Sequence, residues 1–135
     1  MKKTIAAAVL LAAGLAAFGA AKGKADMEVL QGTWYVAQGV YADGSMEKEL
    51  EMQFTFRPAT MTDPMADDKE IPWTLDARAK TITAKDGDSQ IWIRYAIVDD
   101  STITFVEMKV TTTKGTTVIV GAKGTFKQLD LKRKV

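Results

Sequence analysis

LQGTWYVAQGVYADGS, residues 30–45, decides how the chain is read. Thr33 to Val40 has the composition of a strand, and it runs into Asp43-Gly44, a dipeptide that favours hairpin turns because such turns need backbone at positive φ. A strand that ends in a tight turn predicts an antiparallel neighbour. The next run supplies one: Leu50, Met52, Phe54 and Phe56 alternate with Glu49, Glu51, Gln53 and Thr55 until Pro58 ends the pattern.

The same grammar continues to the C-terminus. Ile71, Trp73 and Leu75 share a face, and DARAK turns into TITA. Asp86-Gly87 turns again into QIWIRYAIV, whose apolar face is Ile91, Ile93, Tyr95 and Ile97. Asp99-Asp100-Ser101 leads to TITFVEMKV, and TTKG leads to TTVIVGA. In the last run Leu129 and Leu131 alternate with Gln128, Asp130 and Lys132. No long helical period interrupts these strands; ADMEVL reads as a single helical turn with Asp26 as its cap.

About eight to ten short strands at 8–12-residue spacing, with no room for crossover helices, predict an all-β domain in which sequential strands pair. A meander with one apolar face removes its exposed edges by curling shut. The expected fold is therefore an antiparallel up-and-down meander closed into a small β-barrel, with a two-sheet β-sandwich as the alternative.

The N-terminus has a different character. Lys2 and Lys3 precede the Ala- and Leu-rich run TIAAAVLLAAGLAAFGAA, the pattern of a secretory signal peptide over residues 1–25, with cleavage after Ala21 or Ala25. Residues 26–135 then form one domain, exported to a periplasm or secreted, with no stable membrane anchor after cleavage. Cleavage after Ala25 removes Lys2, Lys3, Lys22 and Lys24 and so reduces 18 basic residues to 14 against 17 acidic ones, a net charge of −3. That balance argues against a nucleic-acid partner, which needs a concentrated basic face. With no cysteine, this exported domain must draw its stability from its core.

A short helical turn, then Gly32-x-Trp34 on the first strand, then an up-and-down meander resembles the lipocalins and the wider calycin superfamily, in particular small bacterial lipocalin-like exported proteins. The resemblance implies that Trp34 plugs the closed end of the barrel and that a basic residue late in the last strand packs across its ring. Arg133, on the face of Leu129 and Leu131, is the candidate. It also implies a small hydrophobic or amphipathic ligand entering opposite Trp34. The chain is too short for a full lipocalin and lacks that family's long C-terminal helix.

Without histidine or cysteine, Ser-His-Asp and Cys-His catalysis and histidine-based metal sites are excluded, so neither an enzyme nor a cofactor is expected. The acidic groups Asp63, Asp67, Asp68, Glu70 and Asp86, Asp88 lack the ligand spacing of a calcium loop and read as solvated turns. The inward-facing candidates for a ligand-lined interior are Val36, Phe54, Phe56, Trp73, Tyr95, Phe105 and Glu107, the last because strict alternation puts it with Ile103 and Phe105, the alternative being a bend or bulge that turns Glu107 to water. If these side chains instead fill the barrel, its surface acts, as a protein-binding module or an inhibitor of a protease or lysozyme. Trp92, sent outward with Gln90 and Arg94, is then the expected exposed contact, with Met61 and Met65 beside it.

Overall fold

The computed structural model describes residues 25–48 and 50–134, so the predicted leader, Ala25 excepted, lies outside the described residues. Alternating apolar residues organise ten strands among the described residues. They are β1 (Gly32–Tyr41), β2 (Met46–Lys48), β3 (Gln53–Phe56), β4 (Thr60–Asp63), β5 (Lys69–Asp76), β6 (Thr81–Asp86), β7 (Ser89–Asp99), β8 (Thr102–Thr112), β9 (Gly115–Val120) and β10 (Phe126–Arg133). A short helix, α1 (Asp26–Leu30), precedes them.

Nine of the strands close a barrel; β2 only flanks the upper half of β1. From β3 to β9 each strand pairs antiparallel with the next, as the short connections predict. Closure comes from β10 against β1, with Arg133 opposite Trp34 and Phe126 opposite Tyr41. One departure from a simple meander occurs here. Because β9 is short, β8 pairs with it only along its upper half, while its lower half, from Thr102 to Phe105, pairs with β10.

Inside, every second residue is apolar and buried. Trp34, Phe54, Phe56, Phe105, Ile82, Ile93, Leu129 and Leu131 are among the side chains with essentially no exposure. The aromatic rings touch: Phe54 meets Phe105 edge-on at 5.1 Å, and Phe56 meets Trp73 at the same distance. Met61, expected on an exposed rim, is instead fully buried on β4 opposite Phe56 and Ile71. Its position in the alternation of β4 sends it inward.

Glu107 is the second correction. The β7–β8 register slips between Tyr95↔Phe105 and Arg94↔Glu107, which leaves Val106 as an extra residue in β8. Beyond this bulge the alternation is inverted, so Met108 takes the inward position and Glu107 faces out. There its carboxylate accepts from Arg94 Nε and Nη2 at 2.6 Å. Ionic pairing at a half-exposed site replaces the expected inward acid.

The turn α1 is also used differently from the expectation. Ala25 occupies the cap position, with its N–H donating to Glu28 Oε1 at 3.4 Å. Asp26, the first helical residue, spends its carboxylate on Tyr95 and Lys80 instead.

Candidate functional site

The two ends of the barrel differ in construction. At the lower end, a five-residue helix leaves its last carbonyls without intrahelical partners. Trp34 Nε1 donates to Leu30 O at 2.8 Å, while Arg133 donates from Nη2 to Val29 O at 2.5 Å and from Nη1 to Gln31 O at 2.6 Å. Arg133 Nε also reaches Asp100 O at 2.8 Å, and the guanidinium carbon lies 4.3 Å from the centre of the Trp34 ring. A cation at a helix C-terminus is favoured by the backbone dipoles as well. Gly32 has φ 119, a conformation that favours glycine, and a Cβ there would stand 2.8 Å from Arg133 Nη1 and push on the guanidinium.

A second tie closes the same end. Tyr95 and Lys80 both donate to Asp26 Oδ2 at 2.7 Å, docking the start of α1 onto β7. Burial, and then the carboxylate it donates to, pushes the Tyr95 phenol well above its ordinary value. Val29 and Leu30 are buried beneath. This end is a plugged floor.

The opposite end is open. There the β4–β5, β6–β7 and β8–β9 turns surround a cup of about 230 Å³. Its base is apolar, made by Ile71, Ala84, Ile91 and Val110, and its upper wall carries Asp63, Asp86, Ser89 and Thr112 beside Met65 and Ala66. The space has a local cause. Trp73, Ala84, Ile91 and Val110 lie in one row across β5 to β8, and Ala84 is the small member of that row. On the β1–β10 side of the barrel Phe126 fills such space: it covers Gly39, where a Cβ would stand 2.6 Å from the ring, and it packs on Tyr41 at 4.7 Å.

The polar wall of the cup is acidic. Asp63 is the one charged or polar side chain that is buried among the described residues, at 8 % exposure. Its Oδ1 accepts from Met65 N at 2.9 Å, and its backbone carbonyl closes the turn by accepting from Ala66 and Asp68 N–H groups. Asp86 accepts from Lys69 Nζ at 2.8 Å. That hydrogen bond, with the nearby charges of Asp86 and Asp63, raises the Lys69 ammonium above its ordinary value. Asp67 and Asp68 complete the turn at φ 54 and 57, a region that aspartate tolerates better than most residues.

None of the seven residues predicted to line a ligand cavity lines this cup. Val36, Phe54, Phe56, Trp73, Tyr95 and Phe105 do face inward, but they pack below the cup as solid core, and Glu107 lies outside. Trp73 donates its Nε1–H to Arg57 O at 2.7 Å. Trp92 faces outward as alternation requires, yet it is half-buried rather than exposed, with Lys109 Nζ 4.9 Å over its ring. Sequence reading took Asp63 and Asp86 for solvated turns and passed over Ala84, Ser89 and Thr112. The available signal was Ala84, a small residue at an inward position flanked by large ones.

Compared with known proteins, the chain matches no family model, and neither a curated protein nor a solved structure shows significant similarity to it. The closed all-β barrel is compatible with a lipocalin-like fold.

Proposed function

We propose that this chain is an exported, non-enzymatic barrel of the lipocalin-like, calycin kind that binds a small amphipathic molecule at its open end. The observation that carries the reading is the cup itself: an apolar base with polar groups on one wall, opposite a plugged floor. Export is supported by the basic and apolar character of residues 1–25, and the absence of a nucleic-acid role by the acidic balance of the mature chain.

The volume sets the scale of the ligand. About 230 Å³ is below the roughly 300 Å³ at which drug-sized pockets begin, yet above the ~150 Å³ that accommodates a benzene ring. A single ring or short chain fits; a long fatty acid does not, because the aromatic core occupies the rest of the interior. Native mass spectrometry of the mature protein, purified without detergent, tests the reading together with titration by single-ring probes. Retained or added mass in the wild type, lost in Ala84→Leu, supports it; no uptake at millimolar concentration by either overturns it.

The filled interior favours a second reading, in which the rim of the mouth docks on a protein such as a protease or lysozyme. Met65 at the cup and Met46 on the flanking strand β2 are 46 % and 56 % exposed, and methionine adapts readily to a partner's contour. Inhibition of such enzymes that disappears in Met46→Ser/Met65→Ser, with small-molecule uptake absent, distinguishes this reading from the first.

A further inference from the structure

We infer that the cup selects a protonated amine: an ammonium seated on Asp63 with an apolar ring or short chain against Ala84 and Ile91. The inference rests on the reading of the cup as a ligand site, and it adds the chemical class of the ligand.

Three observations converge. Burying a carboxylate is costly unless a cation or several donors compensate it. Asp63 is more than nine-tenths buried at the cup, yet among the described residues its side chain has one hydrogen bond, from Met65 N to Oδ1, and no ion-pair partner. The nearest basic residue of the wall, Lys69, is committed to Asp86. Lys69 thus hydrogen-bonds Asp86 and acts on Asp63 only through space, so the Asp63 carboxylate lines the cup with a single direct donor.

The remaining wall agrees with that assignment. Ser89 and Thr112 supply hydroxyl groups that accept hydrogen bonds from an ammonium, while Ile71, Ala84 and Ile91 take the apolar body. A carboxylate ligand would meet Asp63 and Asp86 at close range, a like-charge contact that the small cup gives no room to avoid. A neutral ligand fills the apolar base but leaves Asp63 as it was.

Calorimetric titration of the folded, leaderless chain with benzylammonium, benzyl alcohol and benzoate at pH 7 tests the assignment. Benzylammonium is expected to bind at least about tenfold more tightly than benzyl alcohol, the gain of one charge-assisted hydrogen bond, and benzoate not at all. Asp63→Asn preserves an oxygen for Met65 N–H while removing the charge, so it should abolish the preference for the amine over the alcohol. Amide chemical-shift changes confined to the region of Asp63, Ala84 and Ile91 locate the site without relying on a variant's folding. Equal affinity for the amine and the alcohol, or a preference that survives in Asp63→Asn, overturns the amine assignment while the cup remains a site. Failure of all three probes to bind overturns the cup reading itself.

Discussion

The floor and the mouth are built from opposite ends of the same strands, yet they obey different rules. At the floor, Trp34, Arg133, Tyr95 and Lys80 all engage α1, and the last carbonyls of that helix accept from Trp34 and Arg133. At the mouth, short turns carry exposed methionine, a surface ion pair between Lys69 and Asp86, and a buried carboxylate with a single donor. The contrast teaches that one closed end suffices to define the barrel. Side chains at the other end carry fewer long-range ties, and a buried carboxylate with one direct donor stands there.

Substitutions separate the two ends by the size of their effect. Trp34→Ala removes the plug and opens a cavity at the base of the core, with an expected loss of about 3–5 kcal/mol in denaturant unfolding, a large share of a small domain's stability. A loss below about 1 kcal/mol would mean that the floor is not the clasp of the barrel. Next comes Arg133→Ala, expected to cost about 2–3 kcal/mol because Val29 O and Gln31 O lose their donors beside a buried ring. Arg133→Lys should recover only part of this, since an ammonium lacks the planar fork that reaches two carbonyls at once.

The third effect depends on pH. Because the folded Tyr95 phenol titrates above its unfolded value of about 10, its contribution is present below that pH and is lost as pH rises through it, where the unfolded chain ionises first. Tyr95→Phe should therefore be about 1 kcal/mol less stable than wild type near neutrality, and the gap should narrow by pH 11. Parallel alkaline curves for the two proteins would count against the buried tie to Asp26. Smallest of all is Lys69→Gln at the mouth. Its unfolding midpoint is expected to match the wild type, while benzylammonium binding tightens because Asp86 loses its internal cation.

Much of the floor was legible in the sequence, because its parts lie on regular alternation. Gly32-x-Trp34 and the Leu129, Leu131, Arg133 face required only a constant period of two, and β1 and β10 bring them into register as partners. Glu107 shows where that reasoning stops. One extra residue, Val106, inverts the pattern beyond it, and nothing in the local run TFVEMK marks the bulge. The cup was hidden for a different reason: Asp63, Asp86, Ser89 and Thr112 stand at strand ends, in motifs that read as turns, and only the three-dimensional meeting of three turns makes them one wall. Trp92 was placed on the correct side of its strand, but the reach of Lys109 across it is a long-side-chain effect that alternation does not encode.

The clasp at the floor also orders events in time. Arg133 holds carbonyls of residues 29 and 31, contacts that span 104 and 102 positions of the chain, and β10 is the strand that seals the wall against β1. Contacts so distant carry the largest loop-closure entropy and reward the chain only after the intervening hairpins have formed. A barrel sealed by contacts this distant is expected to close late in folding, after its local hairpins are in place.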